Sequence, residues 1–414
     1  MSSEFNRRNF LRTIGVAGLG SVLASKSKAD SPAPSKVEGN EPNAAGQKQQ
    51  SETPQVPTRK FGKTNAQVSA LCLGAIDITD QQVVFHACTK WGVTYWDTAY
   101  GYTGGNSEIC IGKFLAARPE MRKKLFIATK ATHAKGAAQA EGRLQESLKR
   151  MNTDYVDVFY GVHVLNDISQ LTEDFKPWAE NAKKKGLIKQ FGFSTHTNMA
   201  KNLFEASKLG WVDAILTTYN FRLTKDPLMQ KAIDACYKAG VALTAMKTQK
   251  SVKVETDEDK KLIEHFSAKG FTEGQAKIKA VFEDERFASV SVGMESVARV
   301  TENVAAVLDK TKLAQDDKDA LAEYASATCS GYCAGCAHIC DNALAGVSHV
   351  NDVMRSLMYH NSYGNTQLAK QTFAAIPADV RARLLTADYR FAEQCCPQRM
   401  PIARLVREAV EKLA

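Results

Sequence analysis

Four side chains in the first half of the chain could together move a proton: Asp97, Tyr102, Lys130 and His163. A tyrosine hydroxyl ordinarily has a pKa near 10, and an adjacent ammonium group lowers that pKa because it favours the phenolate. We expect Asp97 to pair with Lys130 and hold it beside Tyr102, while His163 orients a carbonyl oxygen or shares the proton. Each residue alone has an ordinary structural explanation. If all four lie together at adjacent strand ends, they could protonate an alkoxide that develops during hydride delivery.

These residues lie at or near the ends of apolar runs that alternate with amphipathic stretches over residues 58–313. Eight runs predict strands: VSALCLG, TYWDTA, FIATKA, VDVFYGVHV, IKQFGFST, DAILTTYN, ALTAMK and SVSVGM. Asp226–Pro227 predicts a helix start and Gly240 a helix end. Eight such units match a (β/α)8 TIM barrel, an α/β fold in which chemistry gathers at the carboxyl ends of the strands. No G-x-G-x-x-G follows the first strand, which counts against a Rossmann fold.

The N-terminus predicts a targeting segment. Arg7 and Arg8 are paired, a short apolar run covers residues 14–24, and small residues end the segment at Ala29. This pattern resembles a twin-arginine export signal over residues 1–29, and a disordered basic arm is the alternative. Residues 30–57 are rich in Pro, Ser, Gln and Asn and predict a disordered linker. We therefore expect passage through the twin-arginine export machinery to the periplasm, or retention in the cytoplasm where the signal is inefficient.

Charge and hydropathy exclude two classes of partner. Four of the nine net positive charges lie in the first 29 residues, and the rest are too few and too dispersed to predict nucleic-acid binding. The apolar run at residues 14–24 is too short and glycine-rich to span a membrane as a stable helix. We therefore expect a small-molecule substrate and no stable membrane span.

The motifs DTAYGY…SE, ATK and GFS, with the histidine of the fourth strand, resemble the aldo-keto reductase superfamily. The intervals from Asp97 to Tyr102, Tyr102 to Lys130 and Lys130 to His163 are 5, 28 and 33 residues, close to the family's spacing. The resemblance implies that Tyr102 is the general acid and that the other three residues support it. It further implies reduction of a carbonyl on an aldehyde, ketone or sugar, or the reverse reaction.

The resemblance also implies an NADP(H) site near the last strands. Ser194 in GFSTH matches the serine that holds the nicotinamide carboxamide, and GMESVARVTEN matches the segment at the phosphate and adenine. In that segment Ser296 and Arg299 would meet the 2′-phosphate, which favours NADP over NAD. The other matched cofactor positions are Asn220, Met246, Lys247, Gly293, Glu302 and Asn303, of which the last two fall at the adenosine end.

Three positions depart from the family. Leu216 replaces a glutamine and Gly293 replaces the lysine at the phosphate site, and these two changes predict weaker cofactor binding. Met246 replaces the aromatic residue that often stacks on the nicotinamide. The Met246–Lys247 pair is similar to the iron–sulfur-bearing branch of the superfamily.

Six of the ten cysteines crowd the last 86 residues: Cys329, Cys333, Cys336, Cys340, Cys395 and Cys396. Close thiolates followed by a distant Cys-Pro are typical of ferredoxin-type [4Fe–4S] ligation, although the spacing departs from the usual one. The segment resembles the ferredoxin-like C-terminal domain of that branch, which implies a mostly helical domain over residues 314–414. We predict one cluster on Cys333, Cys336, Cys340 and Cys396, with Cys329 or Cys395 as substitutes. Zinc with His338 as a ligand, disulfides and free thiols are the alternatives.

These patterns predict an exported NADP(H)-dependent reductase with an iron–sulfur tail. Nicotinamide delivers two electrons as hydride, such a cluster takes one at a time, and no flavin-binding pattern is visible. We therefore expect the cluster to be structural, a clamp that holds the helical tail against the barrel; any redox partner is unknown. The alternatives are a non-catalytic barrel that serves as a binding or electron-transfer module, and a structural protein of the cell envelope.

Overall fold

Eight parallel strands close into a barrel in the computed structural model of the chain, which describes residues 53–249, 256–344 and 347–414. A short antiparallel hairpin of β1 (Thr58–Lys60) and β2 (Gln67–Ser69) precedes the barrel. The barrel strands follow chain order, and the last pairs with the first. They are β3 (Leu71–Gly74), β4 (Tyr95–Asp97), β5 (Phe126–Thr132), β6 (Val156–His163), β7 (Ile188–Thr195), β8 (Ala214–Thr218), β9 (Ala242–Met246) and β10 (Phe287–Gly293). The predicted barrel is confirmed, and each predicted apolar run overlaps one of its strands, although the first run begins in β2.

At least one helix follows each barrel strand, and two helices lie between β9 and β10. The helices are α1 (Gln82–Lys90), α2 (Asn106–Ala117), α3 (Gly136–Arg150), α4 (Phe175–Lys184), α5 (Met199–Ala206), α6 (Pro227–Lys238), α7 (Asp257–Ala268), α8 (Glu273–Phe282) and α9 (Val297–Leu308). Asp226 caps α6 by accepting a hydrogen bond from the Met229 N–H at 2.8 Å. Gly240 follows the end of that helix with a φ of +71°, a left-handed conformation that glycine adopts without strain.

The two ends of the barrel interior differ in polarity, and this difference positions the site. Near the amino ends of the strands, Phe61 packs against Tyr95 and Phe126, with ring centroids 6.0 and 4.8 Å away. All three rings are buried. At the carboxyl ends, β4 and β6 finish on Asp97 and His163. The aromatic rings fill one end, so the polar side chains at the other end are the ones that can face a ligand.

A helical segment follows the barrel, as predicted. Its first helix, α10 (Gln315–Ala327), packs against α7, where Phe266 and Leu321 share one apolar cluster. Later helices share a separate core that includes Val353, Phe373 and Val406. These helices are α11 (Ala337–Ala343), α12 (Val350–Asn361), α13 (Thr366–Ala374), α14 (Ala378–Arg383), α15 (Arg390–Cys395) and α16 (Ile402–Leu413). The domain boundary between residues 313 and 314 stays a prediction.

The barrel and the helical segment belong to one unit that spans residues 55–414. This unit begins before the predicted end of the linker at residue 57. Val56 is 3% exposed, and its N–H donates to the carbonyl of Trp91 at 2.9 Å. The predicted signal at residues 1–29 and the linker up to residue 52 lie outside the described residues. Within the described ranges, no helix is long and apolar enough to cross a bilayer.

Candidate active site

The four residues predicted to move a proton come together at the carboxyl end of the barrel. The ammonium group of Lys130, on β5, donates to Asp97 Oδ2 at 2.8 Å and to the carbonyl of Thr98 at 2.6 Å. The same ammonium lies 4.5 Å from the centroid of the Tyr102 ring, on the loop after β4. The His163 ring, at the end of β6, stands edge-on to Tyr102 with centroids 6.2 Å apart. Three adjacent strands and one loop therefore build a single constellation.

Burial governs the protonation of this constellation. It raises the pKa of Asp97 and lowers the pKa of Lys130, and the attraction between the two charges opposes both changes. The predicted lowering of the Tyr102 pKa is wrong for this state of the protein. Burial, followed by the charge of Asp97, raises the pKa of Tyr102 well above its ordinary value. Tyr102 is therefore held as a neutral hydroxyl, the form that can donate a proton.

His163 is held as a neutral imidazole. Burial and the nearby Lys130 charge lower its pKa well below the ordinary histidine value. Its Nδ1 lies 2.6 Å from the hydroxyl of Ser194, at the end of β7. Ser194, which was predicted to hold a nicotinamide carboxamide, therefore orients the His163 ring in this structure.

A cavity of about 430 Å³ opens from this constellation toward the end of β10. Of the predicted residues, those lining it are Asp97, Tyr102, Met246, Lys247, Gly293 and Arg299. A Cβ placed on Gly293 would meet only Glu295 Oε2, at 3.8 Å, so the glycine leaves open space at the cavity wall. The guanidinium of Arg299 donates to Glu302 at 2.8 Å and lies 3.7 Å from Glu295.

The remaining predicted cofactor residues have local partners. The Ser296 hydroxyl caps α9 by accepting from the Arg299 N–H at 3.2 Å. The buried Asn303 amide donates to the carbonyl of Gly293 at 3.2 Å and accepts from Gln249 at 2.7 Å. The Asn220 amide donates to the Tyr332 hydroxyl at 3.0 Å. These residues support the wall of the cavity rather than line it.

The C-terminal segment completes the cavity, which was not predicted from the sequence. Tyr359 of α12 and the nearby Tyr363 line it together with Tyr102. Lys247 faces both rings, 4.8 and 5.9 Å from their centroids. Both tyrosines lie in the stretch DVMRSLMYHNSYG of the C-terminal segment. Only the packing of α12 on the barrel mouth reveals their position at the site.

The four cysteines predicted as cluster ligands line one small cavity: Cys333, Cys336, Cys340 and Cys396. Cys329 and Cys395 do not line it, and Cys395 is exposed. His338 also lies outside the lining, and its Nδ1 is 2.9 Å from Asn198 Oδ1. The loop between Cys333 and Cys336 touches the barrel, because the Asn198 N–H donates to the carbonyl of Gly335 at 2.7 Å.

Comparison with known proteins places the chain in a family. The model of the Aldo/keto reductase family matches residues 61–325. An L-galactose dehydrogenase of Arabidopsis thaliana is 24% identical over 296 residues, which span 64% of this chain and 92% of that protein. The aldo-keto reductase yakc [NADP(+)] of Schizosaccharomyces pombe is 31% identical over 126 residues, which span 25% of this chain and 36% of that protein.

A solved structure supports the barrel fold. The holo form of aldo-keto reductase AKR11C1 from Bacillus halodurans superimposes with a TM-score of 0.52 at 20% identity, over 65% of this chain and 96% of that one. The family match covers most of the chain and includes every barrel strand and the four-residue constellation. The chain therefore belongs to the aldo/keto reductase family and is an oxidoreductase.

Proposed function

We propose that this oxidoreductase is an NADP(H)-dependent reductase of small-molecule carbonyl compounds, with Tyr102 as the general acid. One observation carries the proposal. Asp97 and Tyr102 line the same cavity as Gly293 and Arg299. The ammonium group of Lys130 contacts both the Asp97 carboxylate and the ring of Tyr102. A proton donor and a nucleotide-sized space thus meet at the carboxyl end of the barrel, where this fold carries its chemistry.

The residues present fit the nicotinamide cofactor. The open wall at Gly293 allows close approach of a phosphate-bearing chain, and the guanidinium of Arg299 is the group that suits a 2′-phosphate. When bound, the cofactor supplies the hydride. Met246 and Lys247 would lie along its path between Arg299 and Tyr102, since all four line one cavity.

The chain's own residues hold and move the proton. Tyr102 keeps its hydroxyl proton because burial raises its pKa, so the proton is available for the carbonyl oxygen as negative charge develops there. Lys130 places a positive charge against the tyrosine ring, which stabilises the phenolate left after the transfer, and Asp97 holds Lys130 in position. His163, fixed by Ser194, orients the same oxygen.

Binding of NADPH tests this proposal first. NADPH is titrated into the full chain, purified without oxygen, and nicotinamide fluorescence is followed. Micromolar binding with discrimination against NADH supports the reductase, and Arg299→Ala should weaken NADPH binding about tenfold while NADH binding changes little. The effect of this change is limited because Glu302 and Glu295 already compete for Arg299. Absence of NADPH binding by metal-loaded protein would reject the nicotinamide assignment.

The cysteine cavity supports a [4Fe–4S] cluster as the resident group. Four thiols converge on one space, as the cluster requires. Among the described residues, only His265, Asp316 and Asp317 form a group of possible metal ligands whose atoms all lie within 4.8 Å of one another. No three of the four thiols form such a group, so they are spread more widely than a single zinc ion with bonds of about 2.3 Å requires. Iron and acid-labile sulfide in anaerobically purified protein would support the cluster, whereas stoichiometric zinc would reject it.

A second candidate function has its own observation. Cys333 lines a cavity together with Lys247 and His196, so the cysteine site reaches the barrel mouth. An electron-transfer module would use this proximity without hydride chemistry. Protein that contains iron and passes single electrons to a dye, yet binds no NADPH, would favour this alternative.

Export by the twin-arginine route is the third part of the proposal, and it rests on the sequence of residues 1–29. Replacement of Arg7 and Arg8 by lysine should retain the chain in the cytoplasm, as followed by cell fractionation. Unchanged localisation of the Arg7→Lys, Arg8→Lys variant would reject this route.

A further inference from the structure

A second cavity, of about 380 Å³, lies between the barrel mouth and α12. Lys247 and His196 line both this cavity and the catalytic one, so the two spaces meet just after β9. Arg355 of α12 lines only the second space, which we call the Arg355 cavity. A molecule whose carbonyl reaches Tyr102 therefore has room to extend past Lys247 toward Arg355.

Two basic side chains meet in the Arg355 cavity with unsatisfied bonding capacity. Arg355 pairs with Asp352 at 2.7 Å, but its buried Nη1 has no hydrogen-bond partner within the described part of the chain. The Lys247 ammonium contacts the Tyr359 ring and lies 3.8 Å from the Met358 sulfur, neither of which is a charged acceptor. A buried donor without a partner is destabilising, because it has lost its hydrogen bonds to water. Binding of a hydrogen-bond acceptor beside Arg355 and Lys247 would therefore be favourable.

The acidic side chains nearby do not supply that acceptor. Asp352 is already shared between Arg355 and His349, each at 2.7 Å. Glu408 lines the cavity but pairs with Lys412 at 2.7 Å. The other charged residues of the lining are Glu258 and Arg404, which offset each other in charge. Burial and the Arg355 charge lower the pKa of Lys247 well below the ordinary lysine value, and Cys333 lines the same cavity. The unpaired Nη1 of Arg355, rather than a net positive charge, is therefore the group that needs an acceptor.

We infer that the Arg355 cavity binds an acidic group, a carboxylate or a phosphate, carried by the carbonyl substrate. The anion would accept from Arg355 Nη1 and from Lys247, whose protonated form a nearby negative charge favours. Such charge-assisted hydrogen bonds are the strongest available to these side chains. The inference rests on the proposed function and names its substrate class: carbonyl compounds with an anionic end.

Matched substrates test the inference. The reduction of para-carboxybenzaldehyde is compared with that of its neutral methyl ester and with that of para-formylphenyl phosphate. An acidic group should raise kcat/KM by about 10- to 100-fold over the ester, as expected for hydrogen bonds to a charged group. A preference for the carboxylate or the phosphate identifies which acid is bound. Turnover of the ester with no preference for either acid would overturn the inference and leave the reductase proposal standing.

Variants assign the effect to the two basic side chains. Arg355→Met and Lys247→Met should each abolish most of the preference, chiefly through KM, while Arg355→Lys should restore part of it. Lys247 also lies on the proposed cofactor path, so its variant is judged by the ratio of acid to ester turnover at saturating NADPH. It leaves no acid unpaired, and this ratio keeps the test valid if Arg355→Met fails to fold. Arg383→Met is the matched control, because Arg383 lies on α14, pairs with Asp379 and is half exposed. An unchanged preference in both methionine variants would overturn the assignment.

A binding measurement separates failure here from failure of the proposed function. If no aldehyde is reduced, calorimetry is performed with the unreactive para-toluate and with its methyl ester. Binding of the acid by the wild type but not by Arg355→Met supports the anion site without any reductase activity. Absence of para-toluate binding by the wild type would overturn the inference.

Discussion

The barrel mouth and the cysteine cavity are built in opposite ways. At the mouth, Asp97, Lys130 and His163 sit on three adjacent strands, and short hydrogen bonds fix the lysine and the histidine. The cysteine cavity takes its thiols from a loop, a seven-residue helix and a turn far along the chain. The barrel strands alone therefore position the first set of side chains, whereas the second set would be joined by the cluster proposed above. This difference predicts which site survives loss of the other.

Removal of one hydroxyl from the barrel mouth should produce the largest effect. Tyr102→Phe keeps the ring above Lys130 and removes the proton, so kcat should fall by about 10²- to 10⁴-fold with little change in NADPH affinity. Steady-state kinetics and NADPH fluorescence titration measure the two quantities. Tyr100→Phe is the matched control, because the Tyr100 hydroxyl bonds Glu146 at 2.8 Å and does not line the cavity. Equal activity of the Tyr102 variant and this control would contradict the role of Tyr102.

Removal of a thiol should loosen the helical segment and spare the barrel. Cys336→Ser should lose the bound iron, and cleavage within residues 329–414 should accelerate about tenfold, because proteolysis follows the population of the open form. NADPH binding should persist, since the barrel supplies Gly293 and Arg299. Cys329→Ser is the control because Cys329 does not line the cavity. A variant that loses iron, stays protease-resistant and yet stops reducing substrate would show that the cluster is more than a clamp.

Gly335 joins the two sites, so it shows how strongly one depends on the other. Its φ is +76°, and a Cβ there would overlap the carbonyl oxygen of His196. Gly335→Ala should therefore push the cysteine loop away from the barrel, at a cost of about 1–3 kcal/mol. Thermal unfolding and iron content measure the effect. Gly331→Ala is the control, since a Cβ there meets nothing within 4 Å. Equal melting temperatures of the two variants would contradict the close contact.

The same contrast explains what the sequence could predict. Apolar runs alternate with amphipathic stretches along the chain, so the barrel and the alignment of Asp97, Lys130 and His163 on adjacent strand ends follow from local pattern. The direction of the Tyr102 pKa shift does not, because it depends on how much protein surrounds the hydroxyl. Tyr359 and Arg355 could not be assigned either, since their place at the mouth depends on long-range packing of α12. The constraint on Gly335 could not be predicted either, because it comes from the carbonyl of the distant His196.

The protonation of His163 should produce the smallest effect, and it tests the barrel mouth alone. Its pKa in the folded protein is well below its ordinary value because of burial. The unfolded chain therefore binds this proton first as the pH falls below about 6.5, and folding stability is lost from there downward, at up to about 1.4 kcal/mol per pH unit. Above that pH the contribution is fully present.

His163→Gln keeps a polar partner for Ser194 and removes the titration, so its unfolding free energy should fall less steeply than that of the wild type between pH 6.5 and pH 5. Urea unfolding across this range measures the difference in slope. His133 and His196 are shifted in the same direction by burial, so the wild-type slope should shrink without vanishing. Parallel curves for the two proteins would mean that His163 is already solvated and that the mouth is more open than its hydrogen bonds indicate.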